Sequence, residues 1–268
     1  QIVVSILTSV NSGSMISFNS RLRSLTQERQ SWLCVGLDMN PEAFGSNSLS
    51  NLKELTFNVI DATRALAVAY KPNFAFFERW GAAGFAWLEE TVMYIGDDHI
   101  KIADAKRGDI GNTAVQYVES IFGHFGFDCV TLNPYMGRDS IDPFIQDPEK
   151  GVFILCRTSN TSASDFQNGK MGGFSLYEKV ANWANGLNEN DNVGLVVGAT
   201  APEELTRVRE LAPDLSLLIP GIGAQGGDLA HSVRVGNQTG VGLINVSRGI
   251  NFVGDMSEDD IRSAAENY

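Results

Sequence analysis

Residues 100–113 read IKIADAKRGDIGNT, a stretch that begins like the buried strand of an α/β protein and ends in charges. Asp104, Lys106 and Asp109 occupy positions where apolar residues are expected. Because residues two apart on a strand point to the same face, Asp104 and Lys106 are predicted to lie side by side. Asp109 follows Gly108, where the chain can turn back toward that face. The pattern indicates either a functional cleft or a buried ion-pair network that fixes packing.

Short β-rich runs recur along the whole chain and alternate with segments that have helical periodicity. The predicted strands are residues 32–38, 65–71, 100–106, 128–134, 151–157, 193–199, 215–221 and 241–247. The predicted helices are residues 51–64, 84–95, 113–125, 175–187 and 201–212. Such alternation predicts parallel pairing, and eight units in about 250 residues predict a single-domain (β/α)8 TIM barrel. A doubly wound open sheet is the alternative fold.

Most of the predicted strands have polar residues at or just beyond their carboxyl ends, where TIM barrels place their active sites. These residues are Asp38, Lys71, Asp104, Lys106, Asn133, Arg157, Ser159 and Arg248. Each position alone also fits a strand that simply runs into a loop. Together, Lys71, Asp104, Lys106 and Asp109 would form an array whose charges nearly cancel, and this is how several buried charges are tolerated. The array contains no evident nucleophile–base pair, so it suits a reaction that stabilises and then protonates a carbanion.

The net charge of −12 argues against a nucleic-acid binder or a protein of anionic membrane surfaces, because phosphate groups are held by basic surfaces. An anionic ligand therefore needs a local basic site. No apolar run approaches the ~20 residues of a membrane span. The three histidines, His99, His124 and His231, lack a metal-ligand spacing, and no metal site is predicted from them.

The three cysteines lie in apolar runs without a C-x-x-C spacing and are expected to be reduced core residues, which favours the cytoplasm. They are Cys34, Cys129 and Cys156. Residues 1–14 have an apolar patch but no basic region before it, and Met15 opens a more conventional start. We interpret residues 1–14 as an extension or expression remnant and residues 15–268 as the barrel domain.

The motif DAKRGDIGNT (104–113) resembles the signature of the orotidine 5′-monophosphate decarboxylase family, and the similarity covers most of the chain. Supporting segments are CVGLD (34–38), YKPNFAFFE (70–78), LCRTSN (155–160), PGIGAQGGD (220–228) and NVSRGI (245–250). The form of the first motif is most similar to a bacterial branch with longer chains. The resemblance implies a TIM barrel that converts orotidine monophosphate to uridine monophosphate and carbon dioxide, the last step of UMP biosynthesis, without a cofactor or metal.

The resemblance also implies roles for the charged residues. Lys106 would stabilise and protonate the C6 carbanion, Asp104 would lie near the departing carboxylate, and Lys71 would hold Asp104 and a ribose hydroxyl. In the family, the equivalents of Asp109 and Thr113 enter the neighbouring subunit's site, which implies a homodimer with shared active sites.

Substrate-binding roles follow from the same resemblance. Asp38 would accept a ribose hydroxyl, and Ser159 would bind the amide edge of the pyrimidine. The glycine-rich loop 221–227 with Gln225 and Arg248 would bind the phosphate, and the loop is the expected hinge for closure over the ring. The family often uses a tyrosine near this loop, but none occurs in residues 216–232.

Two other functions compete with this interpretation. A related branch of magnesium-dependent phosphosugar decarboxylases and synthases has a similar barrel and a D-x-K-x-x-D pattern. Ser159, Gln225 and Arg248 favour the nucleotide enzyme over that branch. The chain could also be a barrel that binds a nucleotide without catalysis, although all four charged residues of the array are present.

Overall fold

Residues 16–268 are described by the structure, a computed structural model, and they contain a barrel of eight parallel strands. The strands of the chain are β1 (Leu33–Leu37), β2 (Ala69–Pro72), β3 (Ile100–Arg107), β4 (Cys129–Leu132), β5 (Gly151–Arg157), β6 (Lys170–Met171), β7 (Phe174–Ser175), β8 (Val193–Val197), β9 (Ser216–Pro220) and β10 (Gly242–Val246). The barrel closes in the order β1-β10-β9-β8-β5-β4-β3-β2, while β6 and β7 form a separate antiparallel hairpin.

Helices surround the barrel and also cover one of its ends. They are α1 (Phe18–Arg29), α2 (Pro41–Phe44), α3 (Leu49–Thr63), α4 (Phe74–Glu78), α5 (Ala82–Ile95), α6 (Gly111–Val118), α7 (Leu176–Leu187), α8 (Pro202–Leu211), α9 (Leu229–Gly236), α10 (Arg248–Asn251) and α11 (Glu258–Ala265). A π-helical turn, Glu119–His124, continues α6. After β4 the chain forms three short 3₁₀ helices between Pro134 and Phe144 in place of an α-helix.

The predicted TIM barrel is confirmed, and the open-sheet alternative is wrong because β1 pairs with both β2 and β10. Each of the eight predicted strands overlaps one barrel strand, with β2 and β3 each ending one residue later than predicted, and all five predicted helices are present. The prediction missed the longer helices α1, α9 and α11 and the short helices α2, α4 and α10. Residues 1–14, assigned to an extension, lie outside the described residues.

The core has two layers, as expected for strands that are buried on both faces. One layer fills the barrel interior, with side chains such as Cys34, Ile102 and Phe153. The larger layer lies between the strands and the surrounding helices, with side chains such as Val35 and Trp87. Most strand residues on both faces are apolar, and the charged residues of the barrel strands, such as Lys101 and Lys71, lie near the strand ends.

Helix α1 closes the barrel at the end where the strands begin. The ring of Phe18 packs edge-on against Phe153 inside the barrel, with ring centroids 6.2 Å apart. The Asn19 side chain donates a hydrogen bond to the Val193 carbonyl at the start of β8 (3.1 Å). Arg21 forms an ion pair of 2.7 Å with Asp128, directly before β4. The closed end is thus built for stability, which leaves the opposite end for the polar residues.

We predict that Gly151→Ala destabilises the protein, because a Cβ atom at Gly151 would overlap the ring of Phe18. Overpacking of a core typically costs about 1–3 kcal/mol. The matched control is Gly186→Ala on α7, where an added Cβ meets no atom within 4 Å. Urea unfolding should show a lower free energy of unfolding for the first variant and an equal or higher one for the second. Equal stability of both variants would refute the role assigned to Phe18.

Candidate active site

Three charged side chains meet at the carboxyl ends of β2 and β3, and we call Lys71, Asp104 and Lys106 the charged array. Lys71 Nζ donates to Asp104 Oδ2 at 2.6 Å, and Lys106 Nζ donates to Asp104 Oδ1 at 2.6 Å. The side chains of Lys71 and Asp104 are 5% and 10% exposed, whereas that of Lys106 is 50% exposed. Lys106 therefore has one side toward solvent, where a substrate can approach.

The array keeps Asp104 ionised despite its burial. Burial alone would raise the pKa of the Asp104 carboxyl, but the ammonium groups of Lys71 and Lys106 outweigh it and hold that pKa well below its usual range. Burial would likewise lower the pKa of Lys71, but Asp104, and next Asp38, raise it above its ordinary value. The carboxylate and the Lys71 ammonium are therefore fixed charges near neutral pH.

Lys106 reaches Asp104 through an irregularity in β3. The register between β3 and β4 shifts between Ala103 and Arg107, and Lys106 has a φ of +47°, in the left-handed region. The sequence predicted a regular strand in which residues two apart share a face. The two side chains do meet, but a bulge places them together, and such bulges are frequent beside active sites.

Asp38 lies at the end of β1, close enough to Lys71 to influence its pKa. Ser247, directly after β10, donates a hydrogen bond of 2.6 Å to Asp38 Oδ2. The other oxygen, Oδ1, is buried without a hydrogen-bond partner among residues 16–268. A buried acceptor without a partner has capacity for a ligand hydroxyl. Sequence reasoning missed Ser247, although its position after a strand was a usable signal.

Asp109 and Thr113 do not join the charged array within one chain. Asp109 Oδ1 accepts from the Ile110 amide at 2.8 Å, and Asp109 forms no ion pair within the described part of the chain. Thr113 is exposed in the first turn of α6. Beyond Gly108 the chain continues into α6, and Asp109 forms no hydrogen bond or ion pair with the charged array within residues 16–268. One chain provides three of the four predicted charges.

Two of the predicted substrate-binding residues come together at the end of β9. A Cβ atom at Gly221 would lie 3.3 Å from both Gln225 Oε1 and Ser159 Cβ, so both side chains lie over this glycine. Gly221 has a φ of +102°, which an L side chain rarely adopts. Ser159 is held further by its carbonyl, which accepts from Thr200 Oγ1 at 3.1 Å. A glycine is thus required here both for its conformation and for space.

Arg248 is the first residue of α10 and is exposed, with no ion pair to any carboxylate in residues 16–268. Its guanidinium is consequently available to a ligand. The hydroxyl of Tyr268 lies against Gly223 and Gly249, where an added Cβ would come within 2.8 Å and 2.5 Å of it. A tyrosine from the C-terminal end thus reaches the glycine-rich loop, although none occurs in the sequence around that loop.

The described part of the chain lacks two further features. Residues 16–268 contain no group of three or more His, Cys, Asp or Glu side chains arranged to hold a metal ion. Over the same residues, no helix has the length and apolar character needed to cross a membrane.

A closed barrel with an ion-paired array at the carboxyl ends of its strands defines a TIM-barrel enzyme. The family model described as Orotidine 5'-phosphate decarboxylase / HUMPS family matches residues 31–259. The chain belongs to this family.

Relatives and solved structures agree with the family assignment. The orotidine 5'-phosphate decarboxylase of Natronomonas pharaonis is 49% identical over 250 residues, which cover 91% of this chain and 92% of that one. The structure of Leishmania donovani OMP decarboxylase has a TM-score of 0.82 and 41% identity, covering 94% and 95% of the two chains. The structure of Leishmania donovani UMP synthase has a TM-score of 0.84 and 42% identity. The match covers 94% of this chain and 55% of that longer chain.

We predict that Lys71→Met and Lys106→Met differ in their effect on stability. Removing one partner of a buried ion pair costs about 3 kcal/mol or more, so Lys71→Met should lower the free energy of unfolding strongly. Lys106 is half exposed, and its replacement should cost about 1 kcal/mol or less. Urea unfolding at pH 7 tests this difference. An equal loss in both variants would show that Lys71 is not the main counterion of Asp104.

Proposed function

We propose that the protein decarboxylates orotidine 5′-monophosphate to uridine 5′-monophosphate, the last step of UMP biosynthesis, without a cofactor. The observation that supports this most strongly is the Asp104 carboxylate held between two lysine ammonium groups at 2.6 Å each, in a chain of this family. The relatives from Natronomonas pharaonis and Leishmania donovani are named for the same reaction.

The proposed mechanism uses fixed charges in place of a cofactor. The C6–carboxylate bond breaks, carbon dioxide leaves, and the electron pair stays on C6 in the plane of the ring, where the π system cannot delocalise it. The ammonium of Lys106 stabilises this carbanion and then transfers a proton to C6, giving uridine monophosphate. Solvent restores the proton to Lys106. Asp104 and Lys71 keep Lys106 oriented, because both are buried and ion-paired before the substrate arrives.

The remaining residues would bind the nucleotide. The buried oxygen of Asp38 that lacks a partner supports its role as a ribose-hydroxyl acceptor. Ser159 is assigned to the pyrimidine amide edge, and Gln225 and Arg248 to the phosphate. Their support is the convergence of Ser159 and Gln225 over Gly221 and the exposed guanidinium of Arg248.

We further propose a homodimer in which Asp109 and Thr113 complete the partner's site. Within residues 16–268 Asp109 forms no hydrogen bond or ion pair with the charged array, which fits a role in the partner's site. Exposed apolar side chains flank both residues, with Ile110 at 47% and Val115 at 43% exposure. Tyr135 and Met136, in the 3₁₀ helix after β4, are 90% and 47% exposed. Such an apolar surface fits contact with a second copy.

The proposal places the enzyme in the cytoplasm, because its cysteines are free and buried. Burial raises the pKa of the Cys34 thiol to about 12, so this thiol stays protonated and inert.

We predict that the protein decarboxylates orotidine monophosphate at the same rate with and without a chelator. The loss of the substrate's ultraviolet absorbance measures this rate. Lys106→Ala should lower kcat roughly a thousandfold or more, because it removes both the charge and the acid. The control is Lys53→Ala, which changes a partly exposed lysine on α3 that is paired with Glu90, and it should keep parent activity. Turnover that a chelator abolishes would favour the magnesium-dependent phosphosugar enzymes. Binding of uridine monophosphate without turnover would favour a non-catalytic barrel.

We predict that mixing inactive Lys106→Ala and Asp109→Ala subunits restores activity. In a mixed dimer with shared sites, one site receives both intact residues, so an equal mixture should reach about a quarter of the parent activity. The control mixture is Lys106→Ala with Asp104→Asn, whose changes lie in the same chain's part of the site and cannot complement each other. If subunit exchange is confirmed and neither mixture recovers, Asp109 does not cross between subunits.

A further inference from the structure

Thr131, on β4, is a buried residue that contacts two members of the charged array at once. Thr131 is only 1% exposed. The Lys106 amide donates to Thr131 Oγ1 at 3.0 Å, and Oγ1 in turn donates to Asp104 Oδ1 at 3.1 Å. The Ala103 carbonyl is a more distant alternative acceptor at 3.5 Å. The hydroxyl therefore links the backbone of Lys106 to the side chain of Asp104.

The β-bulge makes this link necessary. Ala103 pairs with Val130 and Arg107 pairs with Leu132, so Thr131 alone faces the three β3 residues between those pairs. No backbone partner on β4 is in register with the Lys106 amide, and the Thr131 hydroxyl takes the place of that partner. A non-glycine residue in the left-handed region is strained, and it persists only where its surroundings fix it. The hydrogen bond from the Lys106 amide to Thr131 is one contact that fixes this backbone.

The same hydroxyl matters when Lys106 acts on a substrate. Asp104 Oδ1 accepts from both Lys106 Nζ and Thr131 Oγ1. As the ammonium turns toward C6, its bond to Oδ1 weakens, and the Thr131 hydroxyl keeps this buried oxygen partnered. Because an unsatisfied buried charge is costly, a donor that stays in place lowers the cost of moving Lys106.

We propose that Thr131 is a positioning residue for the decarboxylation, holding Lys106 and Asp104 in their reactive arrangement. The inference rests on the proposed function. It makes a distinct claim, since Thr131 does not touch the substrate and acts only through the two charged residues.

The test is the pair Thr131→Val and Thr131→Ser. Valine keeps the shape and removes the hydroxyl, so kcat should fall about tenfold to a hundredfold, the effect of losing a hydrogen bond to a charged group. KM for orotidine monophosphate and the Kd of uridine monophosphate should stay within about twofold of the parent, because no substrate contact is lost. Serine keeps the hydroxyl and should recover most of kcat.

A matched control separates positioning from general packing. Thr91 on α5 is equally buried, and its hydroxyl donates only to the Trp87 carbonyl at 2.8 Å, so Thr91→Val should keep parent kcat. Urea unfolding confirms that each variant is folded under assay conditions. Three results would each overturn the inference. They are an unchanged kcat in Thr131→Val, a fall in kcat as large in Thr131→Ser as in Thr131→Val, and an effect on KM without an effect on kcat. Failure of the parent to turn over the substrate would instead contradict the proposed function.

Discussion

The ion-paired state of Asp104 is the constraint on which the rest of this site depends. A carboxylate buried at the end of a core strand is tolerated only with compensating charges, and Lys71 and Lys106 provide them at 2.6 Å each. The β3 bulge and the left-handed backbone of Lys106 occur at the point where the second lysine contacts this carboxylate. Local strain thus accompanies the most strongly charged part of the barrel.

The barrel separates stability from chemistry along its axis. At the end where strands begin, α1 seals the interior with the Phe18 ring and a buried asparagine. At the other end, the charged array lies at the ends of β2 and β3, and Ser159 and Gln225 lie together at the end of β9. A carbanion that cannot be delocalised needs charges that are already in place, because solvent reorganisation during the reaction would be costly. Burying Asp104 and Lys71 before the substrate binds meets that need.

Much of this arrangement can be predicted from the sequence, and the failures have physical reasons. Strand runs and the motif around Asp104 and Lys106 are local signals, so the barrel and the position of the array were predictable. Thr131 and Ser247 act through partners on other strands, and a polar residue at the end of an apolar run does not reveal its partner. The bulge depends on the register between β3 and β4, and the sequence of β3 alone does not determine that register. The position of Asp109 relative to a second copy depends on how two chains associate, which a single sequence does not show.

The central claim is that Asp104 is a permanently ionised carboxylate before any substrate binds. The most direct measurement is the 13C chemical shift of the Asp104 carboxyl in the substrate-free protein, followed from pH 7 down to the acid limit of folding, with Asp104→Asn for assignment. No protonation is expected at the ordinary aspartate pKa of about 3.9, because Lys71 and Lys106 hold the pKa of Asp104 well below it. Titration at or above about 4 would contradict it.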